Sequence, residues 1–185
     1  MKPSAAIPAS TSTRFRSLTG LTPLFCGLAC TLLTNFPVSL LGGLVPPPLL
    51  ALVPVYFWCL MRPDLMTPIV VLAIGFAEDV LSGGPPGVWT LSFVLTYGLV
   101  SRYRENFAGL AGLAAVVGFA AAATFACAVA YSTVAALAFI TPGAHSPAIG
   151  SSISELAMTV LFYAPAVLVV SWLHHKLVGA SRGDV

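Results

Sequence analysis

The sequence predicts an all-α integral membrane protein with six transmembrane helices. Three observations carry this prediction: the composition, the division of the chain into six apolar segments, and the placement of the basic residues. Hydrophobic residues make up 58% of the 185 residues, and charged residues only 8%. Soluble domains carry about 25% charged residues, and a chain of this length exposes much of its surface even when folded. Lipid is therefore the solvent that suits this composition.

Six apolar segments follow one another along the chain, and each is ended by glycine, proline or charged residues. A helix rises about 1.5 Å per residue, so about 20 residues cross a hydrocarbon core of about 30 Å. The predicted segments are Leu18–Leu41, Leu49–Met61, Leu65–Leu81, Val88–Ser101, Phe107–Ile140 and Ile153–Leu173. Together they form a single transmembrane domain over residues 18–177. Residues 1–17 are predicted to be a disordered cytoplasmic tail, and residues 178–185 a second cytoplasmic tail.

The basic residues set the orientation, because cytoplasmic loops collect Lys and Arg. With six spans and both termini in the cytoplasm, the loops at 42–48, 82–87 and 141–152 lie outside and contain no basic residue. All eight basic residues then lie inside: Lys2, Arg14, Arg16, Arg62, Arg102, Arg104, Lys176 and Arg182. Two spans within Phe107–Ile140 would place the last two outside. We therefore expect one long, tilted or extended fifth helix.

Three acidic residues are predicted to lie towards the outer leaflet, where the chain supplies no Lys or Arg. Glu78 and Asp79 come near the end of the third segment, and Glu155 lies in the first turns of the sixth. A carboxylate at the membrane centre costs roughly 3 kcal/mol, and less near the edge. Some compensation is needed. Protonation, hydrogen bonds to a helix end such as the one opening near Val88, and a cation from a partner all remain open.

Asp79 is the acid predicted to face inward. It shares one helix face with Gly75 and Ser82 through the i−4 and i+3 relations, and small residues let a second helix approach closely. Adjacent residues point about 100° apart on a helix, so we expect Glu78 to be the more peripheral acid. Glu155 is expected to be an interfacial acid at a helix start, where the helix dipole favours it.

No pattern in the sequence points to catalysis. The chain contains no phosphate-binding glycine loop, no nucleophile elbow and no paired metal-ligand spacing. We therefore predict a non-enzymatic protein with no catalytic residue, no metal site and no cofactor. The net charge of +2, without a basic cluster, gives no indication of nucleic-acid binding.

A longer pattern covers residues 54–100. The aromatic-rich stretch Pro54-Val-Tyr-Phe-Trp58 precedes Arg62-Pro63, and the run Gly75-Phe-Ala-Glu-Asp79-Val-Leu-Ser-Gly83 precedes Pro86-Gly87. This order resembles the rod shape-determining protein MreD family. In that family an aromatic-rich helix is followed by a helix with Gly-x-x-x-Asp-x-x-x-Gly and then a Leu-Gly or similar turn. Pro86 stands where the family often has leucine. The motif positions carried over are Gly75, Asp79, Gly83 and Gly87, with Glu78 beside them.

The resemblance implies a fold similar to the substrate-binding subunits of energy-coupling-factor transporters. It implies a non-enzymatic, multi-pass component of the bacterial inner membrane that helps organise peptidoglycan synthesis during cell elongation. The implied partners are MreC, the glycosyltransferase RodA, a class B penicillin-binding transpeptidase, MreB filaments and membrane lipid. A small-solute binding subunit of a transporter, with the outer acids lining a cavity for a cationic ligand, is the alternative.

Overall fold

The structure is a computed structural model of the chain, and it describes residues 20–35, 47–110, 112–140 and 148–177. All secondary structure in these ranges is helical, as the sequence predicts. The helices are α1 (Thr22–Asn35), α2 (Leu52–Met61), α3 (Pro68–Ser82), α4 (Val88–Arg102), α5 (Arg104–Ala108), α6 (Leu113–Ile140) and α7 (Ile149–Leu177). Both predicted tails, residues 42–46 and residues 141–147 lie outside the described ranges.

Each of the six predicted segments overlaps one helix of ten or more residues, but several ends differ from the prediction. The fifth segment does contain one uninterrupted helix, of 28 residues, which begins at Leu113 and not at Phe107. Gly112 has a φ of 57°, a left-handed conformation that ends a helix and favours glycine. The short helix α5 precedes this break. The sixth helix begins four residues earlier than predicted, at Ile149.

Two helices, α6 and α7, are long and apolar enough to cross a membrane. Large apolar side chains are also exposed on several helices, including Ile69 (78%), Leu113 (80%) and Phe139 (96%). Extensive exposed apolar surface is rare on soluble monomers and marks a surface that contacts lipid or protein. These observations indicate a membrane protein.

The short helix α2 lies at the centre of the bundle. Every residue from Leu52 to Leu60 except Phe57 is buried, and the helix contacts α1, α4, α5, α6 and α7. Tyr56 and Trp58 belong to this buried core, because they are 4% and 0% exposed. The Tyr56 ring packs edge-on against core aromatic rings, including Tyr163 of α7.

The two ends of the bundle carry opposite charges. The acidic end holds Glu78, Asp79 and Glu155. Helices α1 and α3 finish at this end of the bundle, and helices α4 and α7 begin there. Helices α2 and α4 end at the basic end. Every Lys and Arg in the described ranges lies at that basic end: Arg62, Arg102, Arg104 and Lys176.

Candidate functional site

The turn between α3 and α4 contains two of the residues singled out by the sequence. Gly83 follows the last residue of α3 with a φ of 67°, and Gly87 precedes the first residue of α4 with a φ of 94°. Both values lie in the left-handed region, where a Cβ atom is unfavourable. A Cβ atom at either position would meet no atom within 4 Å. Glycine is therefore needed at both positions for its backbone conformation and not for space.

The Asp79 carboxylate caps the beginning of α4. Its oxygens accept hydrogen bonds from the backbone N–H groups of Gly87 (3.0 Å), Trp89 (2.7 Å) and Thr90 (3.0 Å). The Thr90 hydroxyl donates a fourth, at 2.6 Å. The first N–H groups of a helix have no acceptor within the helix, and Gly87 has no side chain to supply one. A carboxylate from the preceding helix takes that place, where the helix dipole also favours negative charge.

This arrangement answers the question that the sequence left open. Of the three possible compensations for Asp79, the structure selects hydrogen bonds to the helix that begins at Val88. Asp79 is only 4% exposed, so its predicted inward orientation is confirmed. We name Asp79, its four donors and Gly75 the Asp79 cap.

Gly75 allows α3 to approach the start of α4 closely enough for this cap to form. A Cβ atom at Gly75 would lie 2.7 Å from the Thr90 Cα atom and 3.1 Å from the Thr90 nitrogen. These are backbone atoms and cannot move aside as a side chain would. Gly75 and Asp79 therefore share the face that the sequence predicts. Ser82 does not extend that contact, because its side chain is exposed and donates to the Asp79 carbonyl oxygen at 3.4 Å.

The prediction that Glu78 is peripheral is wrong. Glu78 is 3% exposed, because α1 packs against the side of α3 that carries it. Its Oε1 atom accepts a hydrogen bond from the Asn35 amide at 3.0 Å. Its Oε2 atom is buried and has no hydrogen-bond partner among the described residues. Two adjacent acids thus face two different neighbours, and only Asp79 is fully satisfied.

The prediction that Glu155 lies at a helix start is wrong, because α7 begins at Ile149 and has no acidic residue in its first turn. Glu155 lies in the second turn, is partly buried and lines a cleft of about 200 Å³. The cleft is bounded by the α3–α4 turn, by α6 and by the first turns of α7. Among the described residues no side chain or backbone group donates a hydrogen bond to the Glu155 carboxylate. The described residues contain no group of three His, Cys, Asp or Glu side chains that could hold a metal ion.

Comparisons with protein-family models, with curated proteins and with solved structures gave no match to this chain.

Two contacts of the acidic end escaped the sequence analysis. Thr90 supplies two of the four donors to Asp79, and Asn35 reaches Glu78 across 43 residues of sequence. The local sequence does indicate the Thr90 contact. Residue 90 is the third residue of a helix predicted to begin at Val88, and the first N–H groups of a helix need an acceptor from outside it. The local sequence does not indicate the Asn35 contact, since that contact depends on how α1 packs against α3.

Proposed function

We propose that this chain is a non-enzymatic, MreD-type component of the bacterial cell-elongation machinery, which works by binding partners in the inner membrane. The observation that carries the proposal is that Gly75, Asp79, Gly83 and Gly87 all serve one structural unit. Two of them set the turn, one opens the helix contact, and Asp79 caps the next helix. Each motif position therefore has a physical reason that apolar composition alone would not supply.

Six spans with both termini in the cytoplasm form part of this proposal, as does a fold like that of the energy-coupling-factor binding subunits. The gathering of the described Lys and Arg residues at one end supports the orientation, because basic residues collect on the cytoplasmic side. The acidic end is then periplasmic.

The brevity of α2 is compatible with a six-span bundle. Ten residues rise about 15 Å, half of a hydrocarbon core. One backbone group near each end of α2 bonds to another part of the bundle. The Leu49 N–H donates to the Thr159 hydroxyl of α7 at 2.9 Å, and the Leu60 carbonyl accepts from the Arg104 guanidinium. Backbone that is not lipid-exposed is tolerated at membrane depth when protein groups satisfy it.

The exposed face of α3 offers a surface for helix partners or lipid. Ile69, Leu72, Phe76 and Val80 are between 51% and 78% exposed and follow one another at helical spacing along one side. The opposite side of α3 is buried against α1 and α4. A partner helix such as that of MreC could pack on this face without disturbing the Asp79 cap.

Isolation of the native membrane complex through a tag on this chain tests the partner role. We expect MreC, RodA and a class B penicillin-binding transpeptidase to co-purify, with MreB recovered directly or through them. Recovery of an ATPase pair and a large membrane coupling subunit would instead support the transporter alternative.

An activity assay tests the non-enzymatic role. Purified alone, the chain should neither polymerise nor cross-link a lipid-linked peptidoglycan precursor. Activity that survives removal of the synthases would overturn the non-enzymatic role.

Thiol labelling in intact cells tests the topology. Single cysteines at Gly84 and Ser146, in a chain whose four native cysteines are replaced, should react with an impermeant reagent. A cysteine near Arg104 should react only after the membrane is opened. The reverse pattern would contradict the proposed orientation.

A further inference from the structure

The cleft beside Glu155 is assembled from three separate parts of the chain. The α3–α4 turn and Trp89 form one wall. Helix α6 contributes Tyr131 and Val134, and α7 contributes Ser151, Ser152 and Glu155. The Asp79 cap holds the first of these walls, since it fixes the start of α4 on which Trp89 lies. The cleft is therefore a product of the tertiary structure and has a defined shape.

The charge of this cleft favours a cation. Among the described residues no group donates a hydrogen bond to the Glu155 carboxylate, and every described Lys and Arg lies at the opposite end of the bundle. An anion placed in the cleft would meet Glu155 without any offsetting positive side chain of the described chain. A cation would supply the partner that Glu155 lacks.

The walls indicate what kind of cation fits. Trp and Tyr rings attract ammonium groups, and Trp attracts them best. Serine and tyrosine hydroxyls accept hydrogen bonds from N–H groups. A volume of about 200 Å³ holds a group of a few non-hydrogen atoms, below the range of roughly 300–1,000 Å³ typical of pockets for larger ligands. A bare metal ion is disfavoured, because the described part of the chain has no cluster of three ligating side chains.

We infer that this cleft binds a small organic ammonium group, with Glu155 as its counter-ion and with Trp89 and Tyr131 as its aromatic walls. The same chemistry is presented by the headgroup of phosphatidylethanolamine and by a free small amine. The site does not depend on the cell-elongation role, because it rests on the cleft alone.

Two binding measurements on the purified full chain separate these sources. The first is equilibrium binding of radiolabelled ethanolamine in detergent. The second is native mass spectrometry after exposure to equal amounts of phosphatidylethanolamine and phosphatidylglycerol. Saturable ethanolamine binding alone identifies a solute site, selective retention of phosphatidylethanolamine alone identifies a headgroup site, and both results together show that the ammonium group is what is recognised. If neither is observed, the inference is overturned.

Variants assign the binding to the cleft. Whichever ligand binds, Glu155→Gln should weaken its binding at least about tenfold. This is the size expected when a hydrogen bond to a charged group is lost. Glu105→Gln is the matched control: it removes the same charge from an exposed residue at the basic end and should bind like the unchanged chain. Equal binding by Glu155→Gln and the unchanged chain would overturn the inference.

A second variant covers the case in which Glu155→Gln fails to fold, as judged by its melting temperature. Val134→Phe keeps every charge and fills the cleft from α6, so it should abolish binding while its melting temperature stays close to that of the unchanged chain. Undiminished binding by Val134→Phe would show that the ammonium group binds elsewhere. Because both assays use the isolated chain, their failure leaves the proposed partner role standing.

Discussion

At each end of the bundle, a charged side chain satisfies backbone groups at the terminus of a neighbouring helix. The two side chains carry opposite charges. At the acidic end, the Asp79 carboxylate satisfies the first N–H groups of α4. At the basic end, the Arg104 guanidinium donates two hydrogen bonds, of 3.2 and 3.1 Å, to the Leu60 carbonyl near the end of α2. Each charge lies at the helix terminus whose dipole favours it. In both cases the charged residue belongs to a different helix from the one that it caps.

The two ends differ in how their acidic side chains are paired. At the basic end Arg62 pairs with Asp64 at 3.1 Å in an exposed position, and hydrogen bonds from Arg62 hold the pKa of Asp64 below its usual range. At the acidic end Glu78 has one buried oxygen without a partner, and Glu155 faces an open cleft. Asp64 at the basic end therefore has an ion-pair partner, whereas no Lys or Arg of the described ranges lies beside Glu78 and Glu155 at the acidic end.

The largest effect should come from Asp79→Leu. This change removes the acceptor for three N–H groups and one hydroxyl, and each buried unsatisfied group costs about 1–3 kcal/mol. We expect a loss of at least about 3 kcal/mol in unfolding free energy, measured by denaturant titration in detergent. Asp79→Asn keeps one acceptor oxygen and should lose about half as much. A stable Asp79→Leu chain would show that the cap does not hold the acidic end together.

Gly75→Ala should have the next largest effect. The added methyl group would meet the Thr90 backbone at 2.7 Å, and overpacking of this kind costs about 1–3 kcal/mol. Gly98→Ala is the matched control, because Gly98 is also helical but its Cβ position is empty to 4 Å. That change should leave stability unchanged or raise it by up to about 1 kcal/mol. Equal melting temperatures for the two variants would contradict the close α3–α4 contact.

Arg104→Gln tests the basic end, and the melting temperature is again the measurement. It removes a charge-assisted contact to a helix terminus, and such contacts are worth about 1–2 kcal/mol. Arg102→Gln is its control, since Arg102 is exposed and should change stability by less than about 0.5 kcal/mol. If both variants melt alike, the Arg104 contact to Leu60 contributes nothing and the symmetry between the two ends fails.

Glu78→Gln should have the smallest effect, although its neighbour Asp79 has the largest. Glutamine keeps an oxygen for the Asn35 amide and removes a charge whose second oxygen has no partner. We expect stability to stay within about 1 kcal/mol, because an incompletely paired buried charge adds little net stability. A loss matching that of Asp79→Leu would mean that Glu78 pairs with a group outside the described residues.

Local features of the sequence determined much of this fold. Apolar segments bounded by glycine, proline and charge located the helices, and the helical period placed Gly75 and Asp79 on one buried face. The end of α2 at Met61 and the start of α4 at Val88 match the prediction. The resemblance motif marked the turn that joins α3 to α4. All of these features depend on residues that are close together in the chain.

The tertiary structure decided the rest. Glu78 is buried because α1 packs over it, α2 is central because five helices surround it, and the Glu155 cleft exists because α4, α6 and α7 meet. Helical periodicity gives the direction of each side chain, but it does not say which helix covers a second face. That choice depends on contacts between residues far apart in sequence, such as Asn35 with Glu78 and Leu49 with Thr159. Such contacts leave no signal in the local pattern of a single sequence.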